Sequence, residues 1–172
     1  MSILKGSYWR WPGRNLAGNA ITVNLATDGA GQSNSTANDV LFAFRDVLFF
    51  AANDGASGAE LWKSDGTEAG TVRVNDINPV QFYVFAFGSY PSSLTNVNGT
   101  LFFTADDGAA GRELWKSNGT PDGTVRVKDI NTRLPEPGAP PTPSPENLTN
   151  VEGRLYLTAD DGATGRELWT SD

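Results

Sequence analysis

The feature that most constrains this chain is a block that recurs three times in register. Residues 101–118 read LFFTADDGAAGRELWKSN, residues 155–172 read LYLTADDGATGRELWTSD, and residues 48–65 read LFFAANDGASGAELWKSD. The tryptophans Trp62, Trp115 and Trp169 mark a period of 53 to 54 residues. Upstream, LTNVNG (94–99) recurs as LTNVEG (148–153) and more faintly as LFAFRD (41–46); downstream, GTEAGTVRVNDIN (66–78) recurs as GTPDGTVRVKDIN (119–131). A repeat of this length is one supersecondary unit that must bury its faces against its neighbours.

Each unit reads as four short strands separated by turn chemistry. In the second copy these are Leu94–Val97, Leu101–Ala105, Glu113–Lys116 and Thr124–Asp129. The Asn98-Gly99 dipeptide between the first two is a strong hairpin signal, because both residues tolerate φ > 0. Leu101 and Phe103 point one way and Phe102 the other; Leu114 opposes Glu113 and Trp115. Both faces therefore carry large apolar groups, as in a sheet sandwiched between neighbours. With 19 Gly and 10 Pro in 172 residues, turns are favoured over long helices. The expected fold is all-β: a β-propeller-like array of three four-stranded antiparallel blades. A parallel β-helix, the alternative, needs shorter and more regular periods.

The expected organisation is an N-terminal extension over 1–40, a first blade over 41–79 and an aromatic connection over 80–93. A second blade over 94–131, a Pro-rich connection over 132–147 and a partial third blade over 148–172 follow. The third copy carries no GTVRVKDI strand, so the last blade is expected to be incomplete. The stretch AITVNL (20–25) reads as a strand near the start and is the candidate to complete it. An open sheet edge templates pairing with another strand. Three blades are too few to close a ring, which leaves three outcomes. Two chains form a six-bladed ring, unclosed head-to-tail pairing forms a filament, or the chain belongs to a larger protein or assembly.

The blocks GAELWKSDGT, GRELWKSNGT and GRELWTSD resemble the bacterial repeat family named for its ELW-x-x-DGT signature, over roughly residues 41–172. The resemblance implies a propeller-like repeat of large surface or secreted proteins, and hence a cell-surface or extracellular location. It implies little about activity. The chain departs from the family pattern in having three copies, fewer than usual, and in residues 1–20, which match nothing in the repeat.

The net charge of −7 argues against nucleic acid or an anionic membrane surface as partner. The absence of Cys and His removes disulfides, thiolate metal sites and the commonest general base. No stretch approaches a membrane span, and the opening MSILKGSYWRWPGRN lacks the apolar core of a signal peptide.

Candidate sites come from the repeat and from the residues outside it. Asp106, Asp107 and Glu113, like Asp160, Asp161 and Glu167, gather around a tight turn and are the candidate calcium ligands; Asn53, Asp54 and Glu60 occupy the same places in the first copy. The competing reading is turn chemistry, since Asp-Gly is common in hairpins. No other cofactor is implied. Arg112 and Arg166 read as partners of a neighbouring Asp, or else as ligand contacts between blades. Trp62, Trp115 and Trp169 suit either a packing position or stacking on a sugar. Trp9 and Trp11 alternate along YWRW, and Phe82, Tyr83, Phe85, Phe87 and Tyr90 crowd the first connection. These seven aromatics are candidate partner contacts; the alternatives are that the five of the connection cover the end of the chain's own core and that Trp9 and Trp11 anchor the N-terminus. The expected function is a non-catalytic structural and interaction module that self-assembles or docks through blade edges. The alternatives are a carbohydrate-binding propeller and, least supported, a glycan-active enzyme working with two carboxylates.

Overall fold

The computed structural model of the protein describes residues 7–14, 20–25, 42–44, 47–83, 85–132 and 144–172. The described residues contain strands and turns and no helix. In chain order the strands are β1 (Ser7–Arg14), β2 (Ala20–Leu25), β3 (Phe42–Phe44), β4 (Val47–Asn53), β5 (Ala59–Ser64), β6 (Val72–Arg73), β7 (Gln81–Phe82) and β8 (Phe85–Ala86). They continue with β9 (Ser92–Val97), β10 (Thr100–Asp106), β11 (Arg112–Ser117), β12 (Val125–Lys128), β13 (Glu146–Val151), β14 (Arg154–Asp160) and β15 (Arg166–Ser171).

The first and second sequence copies each form a four-stranded sheet, ordered β3-β4-β5-β6 and β9-β10-β11-β12. The third forms a three-stranded sheet, β13-β14-β15, and two hairpins, β1-β2 and β7-β8, stand apart. All pairings are antiparallel. The second and third sheets share one register at their centre: Asp106 faces Arg112 and Thr104 faces Leu114, as Asp160 faces Arg166 and Thr158 faces Leu168.

The repeated turns account for the repeated letters. Asn98 and Gly99 both have positive φ, 51° and 87°, and Gly99 N–H donates to Asn96 Oδ1 at 2.8 Å. In the next turn Asp107 Oδ1 accepts the amides of Ala109 and Ala110, and Asp161 Oδ1 those of Ala163 and Thr164. The S-D/N-G-T turn is closed by hydroxyls: Ser117 Oγ accepts Gly119 N–H at 2.9 Å and lies 2.8 Å from Thr124 Oγ1. Asn118 Oδ1 accepts from both Thr120 N and Oγ1, the role Asp65 plays toward Thr67. Asp and Asn interchange there because only an acceptor oxygen is needed. A Cβ at Gly123 would collide with the Asn118 side chain.

The alternating faces pack between units. Phe49, Leu61, Val74 and Ile77 of the first unit meet Leu101, Phe103, Ala105 and Trp115 of the second. Val97, Phe102, Leu114 and Ile130 on the second unit's other face meet Leu155, Leu157 and Ala159 of the third. Each of the Val, Leu, Ile and Phe side chains among them contributes about 1.5–3 kcal/mol through burial, so each unit is held chiefly by its neighbours. Leu48, Phe50 and Ala52 form a third buried cluster. The first strands approach one another across the sheets, β3 beside β9 and β9 beside β13. There Asn150 Nδ2 donates to Asn96 O at 2.7 Å and Asn98 Nδ2 to Gly153 O at 2.8 Å.

The stretch 20–25 is a strand, but its partner is β1: Trp9 faces Val23 and Arg14 faces Ala20. The ladder is irregular between Arg10 and Arg14, across Pro12, which has no N–H to donate. Among the described residues β15 pairs with β14 alone, so the expected completion of the third sheet by residues 20–25 does not occur there. Residues 133–143 of the Pro-rich connection lie outside the described residues.

Candidate functional site

The third strand of each unit places an acidic residue between an Arg or Ala and a Leu. Glu60 and Glu113 are fully buried. Glu113 Oε2 accepts Ile130 N–H at 3.0 Å and its Oε1 accepts Asn131 N–H at 3.4 Å. Glu60 holds the equivalent amides of Ile77 and Asn78 at 3.1 and 3.3 Å, and in addition Ser89 N at 3.0 Å and Ser89 Oγ at 2.6 Å. Each carboxylate thus receives the backbone just as it leaves the fourth strand. Burial pushes both carboxyls above the usual glutamate range, and these hydrogen bonds restrain the shift only in part.

In the third unit the same residues stand open. Glu167 is exposed and accepts no hydrogen bond from the described residues. Leu168 is 73% exposed where Leu114 is 3%, and Val151 is 48% exposed where Val97 is 3%. RELWTS (166–171) differs from RELWKS (112–117) at one position, so the contrast arises from neighbours, not composition. Asp161 completes the edge. Its equivalent Asp107 receives Arg126 Nη1 at 2.9 Å, from the fourth strand. The amides of Thr164 and Ala163 hold the Asp161 carboxyl below the usual aspartate range. The site is therefore a strand edge carrying two carboxylates and an apolar face.

The carboxylates proposed as calcium ligands are not brought together. Glu113 turns inward to the Ile130 and Asn131 amides, whereas Asp106 and Asp107 accept amides within their own loop. Asp160 and Asp161 do likewise while Glu167 faces solvent. Among the described residues no group of three or more acidic side chains is placed to hold a metal ion. The arginines find partners other than an Asp. Arg112 Nη1 donates to Tyr90 O at 2.7 Å, and burial lowers its pKa against the opposing pull of Asp106. Arg166 Nη1 meets Glu146 Oε2 at 2.7 Å.

The three repeated tryptophans lie at packing positions. Trp115 is buried in the first cluster, Trp169 packs against the second and Trp62 against the third. Trp169 Nε1 donates to Ala159 O at 3.2 Å, and Lys128 Nζ stands 4.8 Å from its ring centre. Little ring surface of Trp115 is left for a sugar. Tyr83, Phe87 and Tyr90 are exposed, and Tyr83 and Tyr90 hold φ of 57° and 46°, uncommon for aromatic residues. Trp9 and Trp11 lie on β1, and Phe82 and Phe85 on the β7-β8 hairpin; their side chains lie outside the described portion.

The capping glutamates were not singled out by the sequence for this role. The signal was present, as an acidic residue amid apolar ones followed at fixed distance by D-I-N. Comparison with models of protein families, with curated proteins and with solved structures gave no match to this chain. No helix among the described residues is long and apolar enough to cross a membrane.

Proposed function

We propose that the chain is a non-catalytic structural and interaction protein built of propeller-like blades, which self-assembles or docks into a larger assembly through its sheet edges. One observation carries this reading: the third sheet exposes Leu168 and Val151 on a face whose counterpart in the second sheet is core. Exposed apolar side chains on an edge that no other strand among the described residues pairs with are what another strand or sheet covers. The approach of successive first strands, with sheets packed face to face, supports the blade arrangement. A surface or extracellular location follows from the ELW-x-x-DGT resemblance alone. The acidic side chains serve singly as turn acceptors and caps, which gives a two-carboxylate hydrolase no support. Light scattering over a wide concentration range tests self-assembly. Growth in mass with concentration is expected, and a strict monomer at high concentration removes it. A second reading, carbohydrate binding, is favoured by the exposed rings of Tyr83, Phe87 and Tyr90. Glycan binding that survives replacement of all three rings by Ala removes that role for them.

A further inference from the structure

We infer that the connection between the first and second units carries a single binding site for an uncharged saccharide, formed by Tyr83, Phe87 and Tyr90 beside the turn that holds Asp106 and Asp107. The inference rests on the carbohydrate reading of these rings and names the class of ligand. The connection lies outside the repeat. Residues 78–93 read NPVQFYVFAFGSYPSS, whereas residues 131–147, NTRLPEPGAPPTPSPEN, hold no aromatic residue. Among the described residues the exposed aromatic rings are those of Tyr83, Phe87 and Tyr90, at 88, 49 and 56%. The recurring tryptophans pack against the sheets instead, so a ligand that needs ring faces finds them in the connection.

The stem of the connection is fixed by both units. Glu60 accepts the amides of Ile77 and Asn78 where the chain enters, and Ser89 N–H and Oγ–H where it leaves. Asn78 Nδ2 donates to Gly88 O at 3.3 Å, Phe87 N–H to Val80 O at 3.0 Å and Tyr90 N–H to Ala59 O at 3.0 Å. A Cβ at Gly88 would collide with the Ala59 backbone. From the second unit, Asp106 N–H donates to Ser89 O at 2.9 Å and Arg112 Nη1 to Tyr90 O at 2.7 Å. The Asp107-Gly108 turn abuts the same stem, since a Cβ at Gly108 would meet Asn78 Oδ1 and Val80 Cγ2, each at 2.6 Å. Asn78 and Ser89 are buried while the rings stand out. The positive φ of Tyr83 and Tyr90 persists because the surroundings hold it. Rings on a support already formed cost less to order when a ligand binds. Charge selects among ligands. Residues 78–93 contain no Asp, Glu, Lys or Arg, the adjoining turn is acidic and the chain carries −7, so an anionic ligand is repelled. A neutral saccharide suits both parts: its C–H face covers the rings and its hydroxyls donate to the oxygens of the turn.

The test runs the full 172-residue chain through native gels containing laminarin, soluble starch, hydroxyethyl cellulose or galactomannan, with polygalacturonate as the acidic counterpart. Retardation by at least one uncharged polymer is expected, and none by polygalacturonate. Titration calorimetry with oligosaccharides of the retarding polymer is expected to give a single site per chain. Tyr83→Asn removes one ring and suits the φ of 57°; this variant and Phe87→Ala are each expected to weaken binding by about tenfold. Both positions are exposed, so circular dichroism of the variants is expected to match the wild type. No retardation by any uncharged polymer, affinity unchanged in both variants, or several equivalent sites per chain overturns the inference. Two further outcomes separate it from the broader carbohydrate reading. Retardation by polygalacturonate alone, lost in Tyr83→Asn, sinks the uncharged class and leaves saccharide binding by the rings standing. Binding to phosphatidylcholine vesicles that Tyr83→Asn abolishes, with no polymer retarding the chain, shows a lipid surface as the occupant and sinks both.

Discussion

Replacing Glu113 and Glu167 separately by alanine measures what the buried cap contributes. Glu113 receives two amides, Ile130 N–H at 3.0 Å and Asn131 N–H at 3.4 Å. Truncation leaves both donors in a buried site without an acceptor, at about 1–3 kcal/mol each. Against this stands relief from burying a carboxylate, a burden visible in the raised Glu113 pKa. The expected net loss is about 2–4 kcal/mol. For a chain of this length that corresponds to a fall in Tm of roughly 5–15 °C. Glu167 is exposed and caps no amide of the described residues, so E167A is expected to change stability by less than about 0.5 kcal/mol. Urea and thermal unfolding followed by circular dichroism read both variants. Equal losses for the two, or an E113A variant as stable as the wild type, would refute the account of Glu113 as a cap.

The same contrast extends to the neighbouring leucine: L114A is expected to lose about 2–5 kcal/mol, and L168A under about 0.5 kcal/mol, by urea denaturation. The pH dependence follows from the raised carboxyls of Glu60 and Glu113. A folded-state pKa above the unfolded value favours the protonated native form, so this contribution is full below the ordinary glutamate value and is lost as pH rises through the raised value. With no histidine in the chain, little else titrates in the mildly acidic range. Urea stability is therefore expected to rise from about pH 7 to about pH 5, and to rise less in E113A; a fall over that window in the wild type contradicts it. At still lower pH the depressed carboxyls of Asp54 and Asp161 reverse the trend, because their contribution is present above the ordinary aspartate value and lost as pH falls through the lowered one. G123A, whose Cβ meets Asn118, is expected to lose about 1–3 kcal/mol, whereas N118D, which restores the first copy's acceptor, is expected to stay within about 0.5 kcal/mol; thermal melts check both.

Much of the strand grammar was legible because it is local. Asn98-Gly99 dictates a turn by its own φ preference, and the alternation of Leu101, Phe102 and Phe103 dictates two apolar faces. The expected four strands of the second unit correspond to β9 through β12, within about two residues at each end. The site was less legible because it depends on which groups meet. Asp106, Asp107 and Glu113 are close in sequence, yet β10 and β11 are antiparallel with Ala105 opposite Glu113. Glu113 therefore caps the end of a strand 17 residues later, while Asp106 accepts an amide of its own loop and Asp107 joins its loop amides to Arg126. The Arg112 partner was missed for a similar reason. Tyr90 O belongs to the connection preceding the sheet, and no spacing rule within the repeat reaches it.

The third unit separates two things that the repeat alone runs together, the residues of an interface and the occupation of that interface. The second unit shows that E-L-W on β11 is a core sequence, since Glu113, Leu114 and Trp115 are all buried. On β15 the same three letters give an exposed carboxylate, an exposed leucine and a tryptophan held from one side by Lys128. No change of residue accounts for this, and local preference cannot, because the two strands have the same length and register. What differs is the presence of a fourth strand and of a sheet beyond it. A buried polar group is tolerated only when it is satisfied, and Glu113 and Glu60 meet that condition through the strand they hold. Glu167 meets it by remaining in water.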